Sequence, residues 1–75
     1  GSYYIDGDVY VNNSLSSEIS VILLDNNFNK IQSTVSNING HYVFNQIPAG
    51  QYYILSNYPN GTNDIKGPIQ AQLIT

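Results

Sequence analysis

The 75-residue chain has no cysteine, no tryptophan and only two residues that are lysine or arginine. Without thiols there can be neither a disulfide framework nor a thiolate metal site, so the fold must be held by its core and its hydrogen bonds. Five acidic residues against two basic ones give a net charge of −3 at pH 7. That balance argues against a nucleic-acid surface, which needs clustered cations to displace phosphate counterions, and against docking on anionic lipid. No apolar run approaches the ~20 residues of a membrane span, so membrane insertion is not expected. No stretch keeps a helical period for several turns. A chain of this length buries roughly 60–65% of the surface of its unfolded form, enough for one domain with a small core and little room for a deep pocket.

Gly1-Ser2 reads as the scar of a cleaved purification tag. Residues 3–75 are then a single module cut from a larger protein, and the missing leader peptide says nothing about where the parent resides. Charged residues make up only 9% of the chain, and asparagine is abundant. Uncharged polar surface of this kind is common in secreted and cell-surface bacterial modules.

What is present is a period of two. Ile5, Gly7, Val9 and Val11 alternate with Asp6, Asp8 and Tyr10, as in a strand with one buried face. Asn12-Asn13-Ser14 breaks that pattern. "ISVILL" (Ile19–Leu24) is a second strand with Ile19, Val21 and Leu23 on one face. Asp25-Asn26-Asn27 is a turn, because short Asx side chains bond their own backbone and tolerate φ > 0. "KIQSTV" (Lys30–Val35) is a third strand. Asn39-Gly40 is a hairpin signal leading into a fourth strand, His41–Asn45, with Tyr42 and Phe44 inward. Gln46–Gly50 is a loop, and "QYYILSN" (Gln51–Asn57) is a fifth strand. Pro59-Asn60-Gly61 turns the chain into a late loop holding Lys66. Ile69–Thr75 closes the fold, with Ile69, Ala71 and Leu73 on one face. Short strands, frequent turns and Tyr/Val/Ile enrichment predict an all-β sandwich.

The stretch "SNINGHYVFNQIPAGQYYIL" (Ser36–Leu55) resembles the signature of carboxypeptidase-regulatory-like and collagen-binding-protein B-type (CnaB-like) domains. Asn39, Gly40, Tyr42, Phe44, Ile47, Pro48, Gly50, Tyr52 and Ile54 occupy its pattern positions. "IDGDVYV" and "ISVILLDNN" resemble the family's first strand and its next strand and turn. The resemblance covers most of residues 4–57 and fades over 58–75. It implies a small Greek-key β-sandwich of the prealbumin (transthyretin-like) type with six to seven strands. It also implies a non-catalytic structural or spacer role in a secreted or cell-surface multimodular bacterial protein, with neighbouring modules of the same chain as partners. The motif has its own physical reading as a structural corner. Gly40 supplies φ > 0, Pro48 ends strand four, Gly50 lets the loop reverse, and Tyr42, Phe44, Tyr52 and Ile54 fill the core.

Enzyme chemistry finds little material. His41, the single histidine, follows a turn and is expected to point outward, and no base and orienter surround a nucleophile. Asp6 and Asp8 share one strand face, but no cleft or raised pKa is expected there for paired-carboxylate catalysis. Some CnaB-like domains form an internal Lys–Asn isopeptide bond, a pattern that needs a Lys in the first strand, an Asn or Asp in the last and an acidic proton shuttle. Tyr3–Val11 has no Lys, Ile69–Thr75 has no Asn or Asp, and Ser56 or Asn57 takes the usual Glu position, so no crosslink is expected. Asp25, Asn27 and Asn29 have a spacing that can direct oxygens at Ca²⁺, but Lys30 stands where a calcium loop turns on Gly, and a plain Asx turn is the simpler reading. Asp6 and Asp8 are a weaker pair. Two alternatives to the spacer remain. One is a carbohydrate-binding module that stacks sugars on Tyr10, Tyr53 or Tyr58 with Asn57, Asn60 and Asn63 as hydrogen-bond partners. The other is a protein-interaction module on a surface partner. Asn12-Asn13-Ser14 and Asn60-Gly61-Thr62 match the N-glycosylation sequon, a chance match in a bacterial protein.

Overall fold

The computed structural model describes residues 2–74. Gly1 of the Gly1-Ser2 pair and Thr75 at the end of the expected closing strand lie outside the described residues. Every regular element is a β-strand: β1 (Tyr3–Asp8), β2 (Tyr10–Val11), β3 (Ser14–Leu15), β4 (Ser20–Leu24), β5 (Lys30–Val35), β6 (His41–Ile47), β7 (Gln51–Asn57), β8 (Asn63–Gln70) and β9 (Gln72–Leu73). They form a three-stranded sheet in the order β6-β1-β9, a four-stranded sheet in the order β5-β4-β7-β8, and the small β2-β3 pair. All pairings are antiparallel. The domain is therefore all-β, and its layout is compatible with a β-sandwich.

The alternation seen in the sequence sets the core. Ile5 and Val9, Val21 and Leu23, Tyr42, Phe44 and Ile47, and Tyr52 and Ile54 are buried in one cluster fed by both large sheets. Phe44, Leu23, Ile47, Ile54 and Val21 are the largest fully enclosed side chains. At roughly 25 cal/mol per Å² of apolar surface, a side chain of this size stabilises the fold by about 2 kcal/mol. Two buried polar residues, Ser36 and Ser56, accompany them. Ser36 Oγ accepts from Ile19 N at 2.9 Å and donates to Ser16 O at 2.7 Å, which ties the segment before β4 to the one after β5.

Four expectations are corrected. The first strand breaks at Val9, whose N–H bonds Gly40 O while its carbonyl accepts from Ser16 N. Val9 is buried, and Tyr10–Val11 turns away to pair with Ser14–Leu15. Asn12 and Asn13, at φ 51° and 66°, make the two-residue hairpin turn that this geometry demands. Asn39-Gly40 does not join sheet neighbours: β5 and β6 belong to different sheets, and the segment arches between them. Asn37 closes this arch by accepting Asn39 N and His41 N on its side chain and Gly40 N on its carbonyl. The expected late loop after Gly61 is β8, the longest strand, and Lys66 sits within it. Its Asn63, Asp64, Gly67 and Pro68 disfavour strands, but β8 pairs only with β7, and an edge position tolerates them. Finally, the run Ile69–Thr75 is not one strand. It changes sheets at buried Ala71, whose N–H bonds Gly50 O, and Leu73 beyond it is exposed.

The registers give the domain two distinct ends. Tyr3 lies opposite both Ile47 and Leu73, and Gln51 opposite Gln70. Asp8 lies opposite His41, and Asn57 opposite both Ser20 and Asn63. The base therefore holds both described chain ends, where Ile74 N donates to Ser2 O at 3.1 Å. The tip holds the β2-β3 hairpin, the β5-β6 arch and the β7-β8 hairpin, one strand length of ~20 Å away.

Candidate functional site

The tip carries an open groove of about 450 Å³ lined by Tyr10, Val11, Asn12, Tyr58, Pro59, Asn60 and Thr62. Two hairpins build it. The Asn12-Asn13 turn presents Tyr10, which is 56% exposed. The Tyr58–Thr62 turn is closed by bonds from Tyr58 N to Thr62 O and from Gly61 N to Tyr58 O. Asn60 Oδ1 accepts Thr62 N at 3.0 Å and Thr62 Oγ1 at 2.6 Å, which fixes the amide and leaves its NH₂ group as a donor. Tyr58 packs against the core cluster, so one wall is anchored and the other is presented to solvent. None of the seven lining residues is charged.

A second hollow of about 230 Å³ adjoins the first, sharing Tyr10 and Tyr58 and continuing past Asp8, Tyr42, Ser56, Asp64 and Lys66. Here charge appears. Lys66 Nζ stands 5.9 Å from the centre of the Tyr42 ring, a cation–π distance. The other lysine, Lys30, opens β5 at the base and is exposed.

His41 lies beside this region, between the two acidic side chains of β1. Its Nδ1 is 2.9 Å from Asp8 Oδ1 and its Nε2 3.2 Å from Asp6 Oδ2. A neutral imidazole has one N–H and would turn a lone pair to one carboxylate, whereas the imidazolium donates to both. The bond to Asp8 accordingly raises the His41 pKa above the ordinary 6.5, partial burial opposes it, and the charges of Asp6 and Asp8 add to the rise. His41 faces partly outward as expected. Its pairing with two aspartates is not legible in the sequence, because it depends on the β1-β6 register, in which Asp8 meets His41 directly. Among the described residues no group of three or more His, Asp or Glu side chains is arranged to hold a metal ion.

The remaining candidates scatter. Asp25 Oδ1 accepts Asn27 N at 2.8 Å and Asn29 N at 2.9 Å, and Asn29 Nδ2 reaches Oδ2 at 3.4 Å. These N–H groups, Asn29's first, lower the Asp25 pKa. The Asp25, Asn27 and Asn29 set thus forms an Asx turn at the base, with the carboxylate occupied by its own backbone. Tyr53 lies far from Tyr10 and Tyr58. It is half-buried on the outer face of the four-stranded sheet, with its ring 4.7 Å from that of Phe28. The motif residues lie where the fold needs them. Gly40 is at φ 74° and Gly50 at φ 147°. Tyr42, Phe44 and Tyr52 are buried. Pro48 follows the end of β6, and its carbonyl accepts the Tyr52 hydroxyl at 2.6 Å. Comparison with protein-family models, curated proteins and solved structures finds no match for this chain.

Proposed function

We propose that the chain is a non-catalytic accessory module of the CnaB-like, carboxypeptidase-regulatory-like kind, a Greek-key β-sandwich of a secreted or cell-surface bacterial multimodular protein. Its role is to orient and stabilise neighbouring modules. The observation that carries this reading is the pairing of the two chain ends. β9 lies against the start of β1, and Ile74 bonds Ser2. Segments on either side would leave from one end, held side by side by antiparallel strands. Such a module projects from its parent rather than adding length to a string. Two further features support the reading. The motif residues Gly40, Tyr42, Phe44, Pro48, Gly50 and Tyr52 all have folding roles. The chain path also crosses between sheets, taking β6 to pair with β1 before β7 returns beside β4, and such crossings are in keeping with a sandwich of this kind.

The test is a comparison of amide chemical shifts between the isolated domain and the same domain within its longer parent chain. The expected differences map to the base, at Ser2–Tyr4, Ala49–Gly50 and Gln72–Ile74. An unchanged base would contradict the proposal.

A further inference from the structure

We infer that the groove between the two tip hairpins is a binding site for a neutral pyranose sugar, held between Tyr10 and Tyr58. This goes beyond the organising role assigned to the base and stands apart from it, because the groove is one strand length away from the paired chain ends.

The chemistry of the lining selects the ligand class. A hexopyranose has a face of C–H groups and a rim of hydroxyls. The C–H face needs an exposed, rigid apolar plate, and a tyrosine ring supplies one at little entropic cost because it has only two side-chain torsions. Tyr10 is such a plate, standing on a two-residue hairpin, and Tyr58 is a second one braced by the core. Each rim hydroxyl both donates and accepts. Asn12 offers both functions, and Asn60 offers its NH₂ with the carbonyl oxygen already fixed by Thr62. This combination of an apolar floor and a few placed polar groups is what small-ligand sites need. The lining carries no charge, so an acidic or amino sugar would gain nothing there, and a phosphorylated ligand reaching into the adjoining hollow would meet two carboxylates, Asp8 and Asp64, against the one ammonium of Lys66.

A proline-rich peptide also packs on aromatic grooves. Its exposed backbone groups are mostly carbonyls that ask for donors alone; the Asn60 NH₂ would serve them, but the Asn12 amide and the Tyr10 hydroxyl both donate and accept, which matches sugar hydroxyls. The open shape limits affinity, and a monosaccharide of a dozen heavy atoms is expected to bind with a Kd of about a millimolar.

The test is an amide-shift titration of the domain, produced in a bacterial host so that Asn12 and Asn60 stay unmodified. The probes are the methyl glycosides of glucose, mannose and galactose, each taken to 50 mM, alongside a proline-rich decapeptide. At least one glycoside should give saturable shifts confined to residues 10–13 and 58–62. Tyr10→Ala should weaken that binding at least tenfold, and Tyr10→Phe should keep most of it. Tyr10 is mostly exposed, so both variants should melt like the parent. No saturable shift with any of the three glycosides would overturn the inference. So would binding that survives Tyr10→Ala, or tighter binding of the decapeptide at the same residues. The base-directed shifts of the organising role are read on a different set of amides, so either result can fail alone.

Discussion

The corner at the base and the hairpins at the tip both use turn residues and tyrosines, to opposite ends. At the base, Ile47 is enclosed, Pro48 stops β6, Gly50 reverses the chain and Tyr52 folds back to bond the Pro48 carbonyl. Its hydroxyl is spent on the backbone, and burial above all, with the charge of Asp25 second, raises its pKa. At the tip, Tyr10 and Tyr58 line an open groove, and the turns beside them bond only within themselves. The same side chain is thus a latch at Tyr52, where the chain buries it, and an exposed ring at Tyr10, where a hairpin lifts it away. The difference lies in the neighbours, and it separates the corner that holds the fold from the hairpins that open onto solvent.

The comparison can be broken at its stable side first. Phe44→Ala empties a site with 1% exposure and should cost about 3–5 kcal/mol. That is a large share of the stability of a domain this small, so chemical denaturation should show a mostly unfolded variant. Gly50→Val should cost roughly 1–3 kcal/mol through backbone strain alone. Gly50 is at φ 147° and a Cβ there would meet no atom within 4 Å, so an unchanged melting temperature would mean that the turn is not held in that conformation. Tyr52→Phe removes the latch while keeping the ring, with an expected loss of about 1 kcal/mol by urea denaturation. Tyr10→Ala at the tip should stay within about 0.5 kcal/mol of the parent.

The smallest effect is that of pH. His41 has a raised pKa in the folded state, so its contribution to stability is fully present below its unfolded value near 6.5. That contribution is lost as pH rises through the folded pKa. The melting temperature should therefore fall slightly from pH 6 upward, and His41→Gln should flatten that slope. A slope unchanged in the variant would remove His41 as its cause.

What the sequence made legible follows the same division. Alternation exposed β4, β6 and β7, because each buries one face: Val21 and Leu23, Tyr42 and Phe44, Tyr52 and Ile54. The corner was legible because Pro48 and Gly50 constrain the backbone locally. β8 was not, since a strand paired on one side only and exposed along nearly all its length carries no alternation. The sheet change at Ala71 was hidden because Ile69, Ala71 and Leu73 keep one continuous period across it. Tyr10 and Tyr58 were legible as exposed rings, but their sharing of one groove depends on two hairpins meeting at one end. Tyr53, which looks equivalent in sequence, packs on Phe28 because the Asx turn at Asp25 brings that ring over it. The Asp6–His41–Asp8 cluster likewise needed the β1-β6 register.

Both described chain ends, Ser2 and Ile74, lie together at the base, and the groove lies at the opposite end. A chain without native cysteine lets this be measured directly by dipolar spectroscopy on spin-label pairs. Ser2→Cys with Ile74→Cys should give a short distance, as the bond between Ile74 N and Ser2 O requires. Ser2→Cys with Asn60→Cys should give one longer by about a strand length, ~20 Å. Equal distances, or a longer one for the terminal pair, would contradict the account.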